Sequence, residues 1–178
     1  MSFAVTIKES SFWKLLRSFQ RLLLVTTSVF VVLIMCTAVL LRYVFKADLF
    51  GIEEIVVIAA FWLYFMGSSY GVYERTHVKA DIVPQFMSPR GKAILNLVVQ
   101  FIIAALCLLF TYWAVDMVQY SLTWMPRTTG LRIPVLVSQS SIFFGYVLMS
   151  FYSVFYFLDD LLEVLAGRFD TESGQNHD

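Results

Sequence analysis

Along this chain the apolar positions fall into long runs, and the charged positions fall between them. From Leu22 to Leu41 there are 20 residues without an Asp, Glu, Lys or Arg, and from Ile55 to Tyr73 another 19. Two further runs follow, near 93–118 and 133–158. A helix rises about 1.5 Å per residue, so about 20 apolar residues cross a hydrocarbon core of about 30 Å. The pattern therefore predicts an all-α integral membrane protein with four transmembrane helices, at about 22–45, 54–73, 93–118 and 133–158. The first run exceeds the 7–15 apolar residues of a secretory signal and is expected to stay as a spanning helix.

The segments between the runs have their own patterns. Residues 1–21 read as a cytoplasmic and interfacial segment. Within it Phe12, Leu15, Leu16 and Phe19 share one helical face while Lys14, Arg17 and Arg21 take the other, which suits a short amphipathic helix at headgroup depth; a frayed basic tail is the alternative. A short turn is expected around Lys46-Ala47-Asp48, with Gly51 before Glu53. Pro84 and Pro89 break the polar segment after helix two, Asp116 closes helix three, and Ile133-Pro134 opens helix four. Residues 161–178 read as a polar tail. Nine Lys and Arg lie before helix one, between helices two and three and after helix four, against four in the other two loops. The positive-inside rule then places both termini in the cytoplasm.

Composition agrees with the runs: 59% of residues are hydrophobic and 15% charged, against about 45–50% and 25% in soluble domains. The net charge of zero carries no signal for nucleic acid, and none is expected as a partner. Cys36 and Cys107 sit inside apolar runs, where they read as packing residues without a disulfide. The two histidines, His77 and His177, fall in a loop and in the tail, so axial ligation of a haem within the membrane is not expected. Neither metal-ligand spacing nor a phosphate-cradling loop is present; no enzyme activity and no cofactor are expected of this chain. Ionisable groups at membrane depth are costly and are kept for function, and the central parts of all four runs lack them. Asn96 and Gln100, four residues apart, read as bonding across to a neighbouring helix.

What remains are features of contact. Gly67 and Gly71 have a small-xxx-small spacing that lets another backbone approach, and Ala60 extends the same narrow face. Helix four carries Phe143, Phe144, Tyr146, Phe151, Tyr152, Phe155 and Tyr156, more rings than one small bundle buries internally. Arg42 closes helix one where Glu53 and Glu54 open helix two. The acidic pair suits a helix N-terminus, and a cross-turn ion pair would fix the hairpin depth; three solvated charges are the alternative. His77 and Asp81 mark the loop at the opposite edge.

In order and spacing these residues resemble the DctQ-like small membrane subunit of tripartite ATP-independent periplasmic (TRAP) transporters. The residues that carry the resemblance are Arg42-Tyr43-Val44-Phe45, then Gly51-Ile52-Glu53-Glu54, Phe61-Trp62 and Gly67. His77-Val78-Lys79-Ala80-Asp81 and Gly130-Leu131-Arg132-Ile133-Pro134 complete it. The resemblance covers about residues 20–160. It implies residence in the bacterial inner membrane and two protein partners beside membrane lipid. One is a large permease subunit that moves organic acids, of the C4-dicarboxylate or sialic acid class, with a sodium gradient. The other is a periplasmic substrate-binding protein. Sodium coupling would reside in the large partner, with this chain as scaffold. Trp124, Arg127 and Arg132 are the candidate contact with the binding protein. Two other readings stay open from the residues alone: a self-sufficient homodimeric transporter using the Gly67/Gly71 face, and a structural subunit of another membrane complex.

Overall fold

A computed structural model of the chain describes residues 11–47, 50–74 and 88–165. Four helices follow one another: α1 (Ser11–Tyr43), α2 (Ile52–Tyr73), α3 (Pro89–Trp124) and α4 (Leu136–Leu165). Each is long and apolar enough to cross a membrane. They do not close into a ring. α1 packs on α2, α2 on α4 and α4 on α3, so α1 and α3 stand at the two ends of a row. α2 and α4 run in the same direction, and α1 and α3 run against them.

The ends of the elements follow local chemistry. α2 starts after Gly51, which sits in the left-handed region at φ 80°. A Cβ there would run into the Leu131 side chain, so both the backbone and the space require glycine. α3 begins at Ser88, whose hydroxyl accepts from the Gly91 N–H at 3.3 Å, and proline occupies its first turn, a position with no intrahelical donor to lose. It ends at Met125, left-handed at φ 45°.

Three boundaries differ from the expected ones. The amphipathic segment before helix one is not a separate helix: α1 is continuous for 33 residues from Ser11. Within the chain it packs through Trp13 and Gln20, which are buried with Leu16 partly covered, whereas Leu15 and Phe19 are exposed. Helix three does not close at Asp116 but continues to Trp124. Pro134 lies before α4 and not in its first turn. There it forms an isolated antiparallel bridge with Arg127.

Where α4 meets its neighbours, small and polar side chains carry the contact. Thr111 and Ser150 hydroxyls lie 2.7 Å apart across α3 and α4, and Ser121 donates to Gln139. Gln100 donates to the Ser153 carbonyl at 3.1 Å, the cross-helix bond expected of it; Asn96 is exposed. Cys107 is buried and Cys36 exposed, both as free thiols. Between α2 and α4 the close approach is at Gly145, where an added Cβ would stand 2.8 Å from the Phe65 Cβ and 3.1 Å from its carbonyl oxygen.

Candidate functional site

Two constructions stand at opposite ends of the helices, one near Glu54 and the other near Tyr73 of α2. At one end the chain between α3 and α4 folds into a tight hairpin. The Thr128 N–H donates to the Ile133 carbonyl and the Val135 N–H to that of Pro126, each at 2.9 Å. The Thr128 hydroxyl accepts from the Ile133 N–H at 3.0 Å. That same hydroxyl donates to Glu54 Oε2 at 2.6 Å. Gly130 N–H donates to Glu54 Oε1 at 2.6 Å, and Leu131 N–H to Oε2 at 2.8 Å. One carboxylate from the first turn of α2 thus satisfies three donors of a loop more than 70 residues away, and charge-assisted bonds of this kind are the strong ones.

This arrangement corrects the expected pairing with Arg42. Glu54 turns to the hairpin, Glu53 is exposed, and Arg42 is exposed at the end of α1. Among the described residues no ion pair joins Arg42 to either glutamate. Arg127, Arg132 and Trp124 are all exposed around the hairpin, Trp124 at 70%. Arg132 holds a left-handed φ of 55°, a conformation a bulky residue keeps only where its surroundings impose it. The clamp therefore fixes the loop that carries the two arginines.

At the other end Trp13 is buried among rings. Its centroid lies 5.4 Å from that of Tyr152, 5.6 Å from Phe151 and from Phe155, and 6.0 Å from Tyr73. One step along α1, Gln20 donates to the Ser69 hydroxyl at 3.0 Å and accepts from the Tyr152 hydroxyl at 3.1 Å. Gln20 is 1% exposed and Ser69 and Tyr152 fully buried. Tyr156 donates to the Tyr73 carbonyl at 2.6 Å. At the rim Arg17 lies 3.8 Å from Glu74, which also accepts from Tyr70 at 2.5 Å. This knot joins α1, α2 and α4. The sequence reading placed many of its rings in helix four but missed Gln20, whose signal was a polar residue spaced seven from Trp13.

The small-residue face of α2 is divided. A Cβ added at Gly67 would stand an ordinary 3.6 Å from the Leu24 side chain of α1, so Gly67 faces α1 within the chain. Gly71 is half-buried, and Ala60 is exposed while Ala59 is buried. Between α1 and α2 an open cleft of about 300 Å³ is lined by Thr26, Thr27, Phe30, Ala59 and Trp62. His77 and Asp81 lie outside the described residues. Among the described residues no cluster of metal-ligating side chains forms.

Residues 31–163 match the family described as tripartite ATP-independent periplasmic transporters, DctQ component. The chain belongs to the DctQ family. DctQ proteins are components of TRAP transporters and not an enzyme family, and with its four apolar helices this member is a multi-pass membrane protein. Comparison with curated proteins gives no match. The matched region runs from within α1 to within the last turn of α4. It therefore contains the Glu54 clamp entire, but only the α2 and α4 side of the Trp13 knot.

Proposed function

We propose that this DctQ chain is the non-catalytic scaffold of a TRAP importer. In this reading it braces a large sodium-coupled permease subunit in the bacterial inner membrane, with both of its own termini in the cytoplasm. A periplasmic protein delivers the substrate, an organic acid of the C4-dicarboxylate or sialic acid class. Family membership supports the assembly. The observation that carries the scaffold role is the hairpin held by Glu54: a rigid loop with Arg127 and Arg132 exposed, on helices whose charge-free runs hold no ionisable group for a transport path. In this reading the loop lies at the periplasmic end of the helices, where the delivering protein would meet it.

Purification of the tagged chain in mild detergent, from cells that express the complete transporter, tests this. A much larger hydrophobic subunit should come with it, and deletion of the chain should abolish uptake. Recovery of the chain by itself, together with unchanged uptake after deletion, refutes the proposal. Substrate flux in liposomes that hold this chain alone would favour a self-sufficient transporter instead.

A further inference from the structure

The charged residues that bound the four apolar runs do not lie at common heights along the row. Heights can be compared because the helices are keyed to one another. Gln20 meets Ser69, and Leu24 meets Gly67, between α1 and α2. Trp62 packs on Phe144, and Phe65 on Gly145, between α2 and α4. Thr111 meets Ser150, and Ser121 meets Gln139, between α4 and α3.

Carried through these contacts at about 1.5 Å per residue, Arg42 on α1 falls about 9 Å beyond Glu54 of α2. Asp116 on α3 falls about 12 Å short of it on the same scale, level with the middle of α2. The opposite edges shift in the same sense. Arg21 of α1 stops about 7 Å short of Glu74, and Lys92 of α3 lies about 18 Å past it. Both borders of the apolar zone thus slope across the row in parallel, by about 20–25 Å over three helix spacings of about 8–10 Å each.

Exposed apolar side chains also occupy the two corners that this slope adds to the belt. Val39 and Leu40 of α1 are more than half exposed beyond the height of Glu54, and Ile94 and Val98 of α3 are exposed beyond the height of Glu74. A membrane perpendicular to the helices would leave both of these corners in water. It would also set the exposed carboxylate of Asp116 in hydrocarbon, where ionised groups are disfavoured.

The geometry points to an oblique lipid-contact belt: the row α1–α2–α4–α3 lies in the bilayer with its helices tilted about 40° from the membrane normal, within the plane of the row, at the steep end of the range for spanning helices. In the chain by itself, phospholipid acyl chains are the occupant of the exposed apolar faces along this diagonal. The tilt brings Arg42, Glu54 and Asp116 to one headgroup level, and Arg21, Glu74 and Lys92 to the other. Tyr120 and Trp124, whose rings lie tilted to each other with centroids 6.3 Å apart beyond Asp116 on α3, then stand in the interfacial region that suits such rings. An upright partner helix lying along this row would cross several of its helices and not follow one.

Nitroxide depth measurements on the full chain test this in liposomes of phosphatidylethanolamine and phosphatidylglycerol, with Cys36 and Cys107 first replaced by alanine. Labels are placed singly after Tyr64→Cys, Asp116→Cys, Glu74→Cys and Leu106→Cys, all at exposed positions. Positions 64 and 116 share one height along the helices, and positions 74 and 106 nearly share another. Collision with oxygen against a nickel chelate should place label 116 about 10 Å nearer the headgroups than label 64, and label 106 about 10 Å deeper than label 74, from the sine of the tilt over two helix spacings. Equal depth within each pair overturns the proposal, as does shielding of labels 64 and 106 from both reagents, which would mean protein in place of lipid. Polarised infrared spectra of the unmutated chain in aligned bilayers give an independent reading. A mean helix tilt near 40° is expected, and one under about 20° overturns the inference.

Discussion

Glu54 Oε2 accepts from the Thr128 hydroxyl at 2.6 Å, and through that bond the first turn of α2 holds the hairpin that leads into α4. The Thr128 hydroxyl can donate to the carboxylate while it accepts from the Ile133 N–H, which uses both of its hydrogen-bonding capacities. The same carboxylate takes the Gly130 and Leu131 N–H groups. Neither the start of α2 nor the hairpin is complete without the other.

Glu54→Gln replaces one acceptor oxygen by an NH2 group that faces donors. The hairpin should open more often, and a protease specific for arginine should cut after Arg127 and Arg132 faster than in the parent. Glu53→Gln, at an exposed position, should leave the cleavage rate unchanged. Equal rates in all three proteins would separate the clamp from loop order.

Arg42→Ala should be nearly silent in the isolated chain. The side chain is exposed, and substitutions away from specific contacts usually change stability by less than about 0.5 kcal/mol. Thermal unfolding in detergent measures this. A marked loss would show that the residue carries a contact within the chain.

Gly145→Ala should destabilise by about 1–3 kcal/mol, the usual cost of overpacking, because its Cβ would stand within 3.3 Å of the Phe65 carbonyl group and α2 would have to move off α4. Gly67→Ala adds a Cβ at 3.6 Å from Leu24 and should be tolerated. Unfolding of the two variants side by side in one detergent checks the order.

Gln20→Leu should cost about 1–3 kcal/mol, since the buried Tyr152 hydroxyl loses its acceptor. Tyr152→Phe should cost less on the Gln20 background substitution than on the parent. A double-mutant cycle reads the coupling, expected in the range of about 0.5–3 kcal/mol for residues in one bonded network.

Trp13→Ala should release the beginning of α1 from α2 and α4, with a loss of about 3–5 kcal/mol as for other buried aromatic truncations. Hydrogen exchange should rise in residues 11–20 and leave α3 unaffected, because α3 stands at the far end of the row.

Sequence alone determined how many helices there are and where their charged edges fall. A run of about 20 residues without charge answers to the thickness of hydrocarbon, a constraint local to each segment. It also carried, in the order of Arg42, the acidic pair, Gly67 and Gly130–Pro134, a resemblance to the DctQ family, whose match covers residues 31–163. The tertiary structure decided which groups meet. Glu54 had a nearby cation in Arg42, yet its partners lie 74–77 residues on, and nothing local ranks a distant backbone N–H against a neighbouring guanidinium. Periodicity marks an apolar face at the start of α1, yet the packed side there follows Trp13 and Gln20, because their partners on α2 and α4 exist only in the folded row. Gly67 stood out by its spacing and Gly145 did not, although the tight backbone approach is at Gly145. Spacing records which residues share a face, and only the neighbouring helix determines how near another backbone comes to it.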